Sequence, residues 1–144
     1  MKKLFSIMLA MVVTLLCTLS VSATDIGWGN MDDNIGGTAE PNWNYTYSAK
    51  AMISVSGDEV TGTSTVDGNS SVTKITITTE LQLKEGNSWR SIDGRGTTVF
   101  TRHGSFTHTF KDVSDGTYRI KTIGRVYVGD KYETVYAYST EMTV

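Results

Sequence analysis

Apolar and polar residues alternate with a period of two along most of this chain, and the alternation is clearest in the stretch KITITTELQLK, residues 74–84. Successive side chains of a β-strand point to opposite faces of the sheet. The pattern therefore predicts a strand with one buried apolar face and one face in contact with solvent. The residues predicted to face inward are Ile75, Ile77, Thr79, Leu81 and Leu83.

The same alternation recurs in further segments, which are separated by short turns rich in Gly, Asp, Asn and Ser. Gly129 and Asp130 separate the last two segments, and a glycine in the first position of a two-residue connection favours a tight hairpin. No helical pattern follows residue 23. Seven or eight such segments occur, and this spacing predicts an all-β fold, an antiparallel β-sandwich of about seven strands. The predicted strands cover 45–55, 60–66, 74–84, 89–92, 97–101, 105–110, 117–128 and 131–142.

The chain begins with a pattern typical of a secretory signal peptide. Lys2 and Lys3 precede an apolar run over 4–19, and the small residue Ala23 marks the expected cleavage site. A membrane anchor is the alternative, but the apolar run is short and no stop-transfer charges follow it. We therefore predict a signal helix over 1–23, secretion to the extracellular space and no membrane anchor after cleavage.

The only cysteine, Cys17, lies inside this predicted signal peptide. The mature chain would then contain no disulfide, no thiolate nucleophile and no cysteine-ligated metal site. Cleavage also removes Lys2 and Lys3, which leaves 11 basic and 15 acidic residues and a formal net charge of −4. Nucleic-acid binding is not expected, because it usually requires a basic domain.

Residues 24–44 show no periodicity and are rich in Gly, Asn and Asp, which predicts an irregular arm before a sandwich domain over 45–144. Trp28 and Trp43 are the aromatic residues of this arm. Either one of them closes an end of the core, or both are adhesive groups on a mobile segment.

The stretch SDGTYRI resembles the turn and strand of the tyrosine corner in immunoglobulin-like and fibronectin type III-like domains. The resemblance implies that Tyr118 is the corner tyrosine and that Ile120 stands where antibody domains place a cysteine. The chain departs from the family in lacking a disulfide pair and in placing Trp89 after the KITITTELQL strand. The whole chain also resembles small secreted β-sandwich proteins of Gram-positive bacteria, a group that implies no particular activity.

Tyrosine is concentrated near the end of the chain, and the hairpin register decides where these rings point. One face of the hairpin would carry four tyrosines together with Arg119, Lys121 and Arg125. Burying three unpaired cations costs several kcal/mol each, which outweighs the roughly 1.5–3 kcal/mol gained for each buried ring. We therefore expect this face to be outside, unless a bulge at Gly124 inverts the strand. The predicted opposed pairs are Tyr127 with Tyr132, Arg125 with Thr134, Ile123 with Tyr136, and Lys121 with Tyr138.

Rings interspersed with cations on an exposed sheet have two interpretations. They can stack on sugar faces and bind acidic groups, or they can simply stabilise the hairpin as cross-strand pairs. Our leading hypothesis is a non-enzymatic binding module for cell-wall polysaccharide or a surface protein. The alternative is a secreted bacteriocin-like antagonistic peptide whose Trp28 arm contacts the target cell. The predicted ligand-binding residues are Tyr127, Tyr132, Tyr136, Tyr138, Arg125 and Lys121.

No catalytic site, cofactor or metal site is predicted. His103 and His108 are the only histidines, and the stretch RHGS is expected to interrupt the strand between them. Asp32, Asn34 and Gly36 copy only part of a calcium-loop spacing, because the later ligands are missing. No serine lies in a nucleophile-elbow pattern.

Overall fold

The computed structural model describes residues 25–30 and 42–144. The predicted signal peptide, Cys17 and the partial calcium pattern at 32–36 lie outside the described residues. Nine strands are present in the described part. They are β1 (Asp25–Asn30), β2 (Thr46–Ser56), β3 (Glu59–Gly68), β4 (Lys74–Glu85), β5 (Ser88–Val99), β6 (His103–Phe110), β7 (Thr117–Val128), β8 (Lys131–Tyr138) and β9 (Met142–Thr143).

The strands form two antiparallel sheets, which confirms the predicted all-β, two-sheet architecture. The first sheet has the strand order β1-β2-β3-β6, and the second has the order β5-β4-β7-β8, with β9 paired to the start of β7. Strands β2 and β3 lie over β7 and β4, so that the apolar faces of the two sheets meet. Within 25–30 and 42–144 there is no helix that could cross a membrane.

Three details differ from the sequence-based prediction. Asp25–Asn30, predicted as irregular chain, forms β1 and pairs with β2 from Asp25 opposite Val55 to Asn30 opposite Lys50. Strand β5 runs through the stretch DGRG without a break, and strand β6 already begins at His103. In all three cases the strand pairs through its backbone with the open edge of a neighbouring strand. Such pairing does not require alternating apolar and polar side chains, so the sequence pattern does not reveal it.

The buried core confirms the predicted orientation of the central strands. Ile75, Ile77, Thr79 and Leu81 of β4 are at most 1% exposed, while the alternate residues Thr76, Thr78 and Glu80 point away from the core. Ile120 and Val126 of β7 are fully buried, as predicted. The other large buried apolar residues include Ile53, Val60, Val66, Phe110 and Val135.

Tyr118 forms the hydrogen bond that characterises a tyrosine corner. Its ring is 2% exposed, and its hydroxyl donates to the carbonyl oxygen of Ser114 at 2.7 Å. Trp43 packs against the core from the segment that leads into β2, as one of the two sequence interpretations expected. These two contacts close the core.

Three hydroxyl groups lie in the centre of this core, and all three residues are fully buried. Ser64 Oγ lies 2.7 Å from Thr79 Oγ1 and 2.6 Å from Thr122 Oγ1, which in turn lies 3.1 Å from the Lys50 carbonyl oxygen. Each hydroxyl carries one proton, so a chain of donors running from Thr79 through Ser64 and Thr122 to Lys50 satisfies them all. This buried hydroxyl chain joins β4, β3, β7 and β2.

Glu133 of β8 links the second sheet to the segment that enters the first. Its carboxylate accepts hydrogen bonds from the backbone amides of Asn44 and Tyr45, both at 2.9 Å, and from the Thr46 hydroxyl at 2.7 Å. Burial raises the pKa of Glu133, but these hydrogen bonds outweigh burial and hold the pKa below its usual value.

Candidate binding face

The β7–β8 hairpin has the predicted register. Gly129 adopts a φ of 58°, which allows the two-residue turn with Asp130. Tyr127 lies opposite Tyr132, Arg125 opposite Thr134, Ile123 opposite Tyr136, and Lys121 opposite Tyr138.

No bulge occurs at Gly124, so the side chains of β7 continue to alternate between the two faces of the sheet on both sides of this residue. Gly124 lies opposite Val135 in β8 and opposite Ile77 in β4, within two uninterrupted registers. A Cβ atom at this position would lie 2.9 Å from both Val135 Cγ2 and Val66 Cγ2. Only glycine lets the sheets approach this closely here. Because Gly124 faces the core, the residues on either side of it point outward.

The outer face of the second sheet carries all the predicted ligand-binding residues. Tyr132 and Tyr136 are 56% and 41% exposed, and Arg125 is also exposed. Tyr127 and Tyr138 are half-buried, because neighbouring side chains cover them. The outward orientation of the rings is thus as predicted, whereas their role in binding stays a prediction.

Arg119 is stacked between two aromatic rings at one end of this face. Its guanidinium carbon lies 4.3 Å from the ring centre of Trp89 and 4.3 Å from that of Tyr138, and its Nε donates to Gln82 Oε1 at 2.8 Å. Burial lowers the pKa of Arg119, although Tyr138 and Glu141 act against the change. We refer to Trp89, Arg119 and Tyr138 as the Arg119 cluster.

A second group of rings and cations lies at the hairpin-turn end of the face. Tyr127 and Tyr132 have their ring centres 5.4 Å apart. Lys74 Nζ lies 3.9 Å from the centre of the Tyr127 ring, and the guanidinium carbon of Arg125 lies 5.8 Å from that of Tyr132. We refer to these four residues as the Arg125 cluster.

A polar network on strands β4, β5 and β7 extends from the Arg119 cluster to Lys121 in the middle of the face. Gln82 Nε2 donates to Ser91 Oγ at 3.1 Å, and Ser91 Oγ donates to Glu80 Oε2 at 2.9 Å. Lys121 Nζ lies 3.5 Å from the same Glu80 oxygen and 5.4 Å from the centre of the Tyr136 ring. Lys121 is therefore largely neutralised, unlike Arg119 and Arg125.

Along the β5 edge, on the side of the sheet away from β8, the face is flat because strand β5 contributes small residues. Gly94 and Gly96 lie opposite Glu80 and Thr78 of β4. A Cβ atom at Gly96 would lie 2.7 Å from the Ile77 carbonyl oxygen, so no side chain can rise there without moving the backbone. The result is a strip of glycines and short hydroxyl side chains along the β5 edge, separated from the exposed Tyr136 on β8 by strands β4 and β7.

Sequence reasoning did not assign Trp89, Lys74 or Arg119 to the site. Trp89 reaches Arg119 only because β5 pairs with β4, which places Trp89 opposite Lys84, and because β4 pairs with β7, which places Gln82 opposite Arg119. The alternation in β4 indicated which of its residues face outward, but the sequence contains no signal for the β5 register.

A separate cleft of about 320 Å³ opens at one end of the sandwich. Its rim cations are already paired, Arg90 with Glu85 at 2.7 Å and Lys111 with Glu59 at 3.0 Å. The rim cations are therefore not free to orient a ligand, and Asp112 and Asp115 also line the cleft. The apolar residues that line it are Leu81, Leu83, Ile92, Phe110, Val113 and Tyr118.

The histidines lie on the other sheet and on opposite faces of β6. His103 Nδ1 is 3.0 Å from Asp67 Oδ1 on the outer face, whereas His108 packs between Phe106 and Phe110. Burial raises the pKa of Asp67, but hydrogen bonds with His103 and Ser48 and the charges of His103 and Lys50 outweigh burial and lower it. No metal-binding group of three His, Cys, Asp or Glu residues is found in the described part of the chain.

No known family model matches this chain, and no curated protein shows significant sequence similarity to it. Any function must therefore be argued from the geometry of the outer face itself.

Proposed function

We propose that the protein is a secreted, non-enzymatic binding module of the immunoglobulin-like type, and that the outer face of the β5-β4-β7-β8 sheet contacts a cell-surface polymer or protein. The single observation that carries this proposal is the exposure of the Tyr132 and Tyr136 rings beside Arg125 on a regular sheet. Secretion rests on the signal-peptide pattern of residues 1–23. The hydrogen bond from Tyr118 to Ser114 supports the immunoglobulin-like assignment.

The face is suited to binding because its side chains are already positioned. A tyrosine has few rotatable bonds, so ordering it on a ligand costs less entropy than ordering a lysine. The neighbouring cations restrict the rings further, with Lys121 above Tyr136 and Arg125 near Tyr132. A preformed face of this kind loses less affinity to conformational ordering than mobile side chains would.

Cosedimentation of the chain lacking residues 1–23 with purified cell walls and insoluble polysaccharides tests this proposal. The test variant is Tyr132→Ala combined with Tyr136→Ala, and the matched control is Tyr47→Ala, because Tyr47 is 74% exposed but lies on the first sheet. We expect binding to be lost in the double variant and retained in the control. Equal loss in both, or unchanged binding in the double variant, would contradict the proposed contact face.

A further inference from the structure

The outer face of the second sheet is strongly basic, although the chain as a whole has a formal net charge of −2. Among the residues of β4, β5, β7 and β8 that point outward, five are cationic and only Glu80 is acidic. Charge segregated onto one face attracts ligands of the opposite sign. The five cations are Lys74, Lys84, Arg119, Lys121 and Arg125.

Three of these cations have no carboxylate partner within residues 25–30 and 42–144. Lys84 pairs with Glu141 at 2.7 Å and Lys121 with Glu80 at 3.5 Å, but Lys74, Arg119 and Arg125 contact aromatic rings instead. An aromatic ring holds a cation in place without neutralising its charge. These three side chains therefore keep their full charge in fixed positions.

The hydrogen-bonding groups of Arg119 also favour binding of an anionic ligand. The Nε of Arg119 is used by Gln82, while its two Nη atoms have no acceptor within the described part of the chain. Gln82 is an amide, so it orients the guanidinium without cancelling its charge. The remaining N–H groups match the bidentate geometry of a carboxylate, sulfate or phosphate group.

The two clusters are far enough apart to require an extended ligand. Arg119 and Arg125 are six positions apart on strand β7, which corresponds to a separation of about 20 Å. Between them on β7 lie Lys121 and Ile123, and the exposed Tyr136 ring of β8 lies opposite Ile123. A linear chain could lie along β7, with a sugar ring against Tyr136 and acidic groups at each cluster.

We propose, on the premise that this face is the binding site, that the ligand is a linear anionic polysaccharide that contacts the Arg119 cluster and the Arg125 cluster at the same time. Two linked contacts increase the effective concentration of each acidic group at the other cluster, so affinity depends on chain length. Screening by salt weakens both contacts.

Polygalacturonate and its fully methyl-esterified form are suitable probes, because they share one backbone and differ in charge. We expect isothermal titration calorimetry to show at least about tenfold weaker binding of the ester, and binding of the acid should fall by at least about tenfold between about 50 and about 500 mM NaCl. Oligogalacturonates too short to span the two clusters should bind more weakly than the polymer.

Three variants separate the two clusters. Arg125→Gln, on an exposed side chain, and Arg119→Gln should each weaken binding of the long polymer by about tenfold, which is the loss of one charge-assisted contact. Gln82→Glu should also weaken binding, because it retains the acceptor for Arg119 but adds a negative charge. Arg102→Gln, on an exposed residue between β5 and β6, is the matched control and should bind normally. Melting temperatures measured in parallel identify any variant that fails to fold.

The outcomes distinguish this inference from the proposed function on which it rests. If the acid and the ester bound with equal affinity and without salt dependence, the inference that the ligand is anionic would be wrong. The proposed function as a binding module would not be affected. If polyglutamate bound as tightly as polygalacturonate, the inference that the ligand is a polysaccharide would be wrong. Failure of polygalacturonate, its ester and cell walls to bind would overturn both the anionic polysaccharide and the polymer ligand of the proposed function, and would leave a protein partner as the ligand to test.

Discussion

The buried hydroxyl chain gives the sharpest test of how this fold is stabilised. Ser64→Ala removes the central hydroxyl while changing the side-chain volume little. Thr122 keeps the Lys50 carbonyl as an acceptor at 3.1 Å, but Thr79 loses its only hydrogen-bond partner among the described residues. Since Thr79 is fully buried, water cannot replace that partner without opening the sheets.

An unsatisfied buried hydroxyl costs about 1–3 kcal/mol. Ser64→Ala should therefore lower the free energy of unfolding by about that amount, and each 1 kcal/mol corresponds to roughly 4–8 °C in Tm for a domain of about 100 residues. Urea unfolding at neutral pH, followed by tryptophan fluorescence and by circular dichroism, measures the change.

The matched comparison is the triple variant Ser64→Ala, Thr79→Val and Thr122→Val. Replacing all the partners by apolar groups of the same shape leaves no hydroxyl unsatisfied and can be nearly neutral or stabilising. We therefore expect the triple variant to be more stable than Ser64→Ala alone. A triple variant that loses as much stability as the three single variants combined would refute this reasoning.

Three further predictions concern other parts of the fold. The hydrogen bonds to Glu133 lower its pKa in the folded state. They therefore stabilise the protein above the unfolded-state pKa of about 4.3. This contribution is lost as the pH falls through the lower folded-state pKa. Glu133→Gln should therefore make the acid limb of a stability–pH curve shallower, and an unchanged limb would contradict the assignment. Gly124→Ala should lower the free energy of unfolding by about 1–3 kcal/mol, since its Cβ would lie 2.9 Å from two valine methyl groups; a neutral result in urea unfolding would show that the sheets can separate without cost. Tyr118→Phe should cost about 0.5–1.5 kcal/mol through loss of the Ser114 hydrogen bond, whereas Tyr136→Phe, on an exposed ring, should leave Tm unchanged.

The inward and outward faces of β4 and β7 could be predicted because each strand has neighbours on both sides and one buried face. Under those conditions a shift by one residue would bury every polar side chain, so the pattern determines the register strongly. The glycine turn at Gly129 then determined the pairing of β7 with β8, and with it the outward position of Tyr132 and Tyr136.

The open edges of the two sheets could not be predicted in the same way. Strand β1 is paired along one edge only, and β5 lies at the open edge of its sheet with most of its residues exposed. Little burial constrains the side chains of such strands, so Gly94 and Gly96 are tolerated inside β5. A bulge between Leu81 and Gln82 also shifts the register that brings Trp89 to Arg119.

On the outer face, aromatic rings hold cationic side chains in position, a role that carboxylates commonly have on protein surfaces. Had Arg119 and Arg125 been held by Asp or Glu, the face would be ordered but close to neutral, and it would have little affinity for an anion. Trp89, Tyr138 and Tyr132 position these cations without cancelling their charge. The core lies on the opposite side of the same strands, so a change at Arg125 or Tyr136 alters the proposed binding face while the buried residues of β7 and β8 keep their contacts. Loss of binding in those variants can therefore be interpreted as loss of contacts with the ligand.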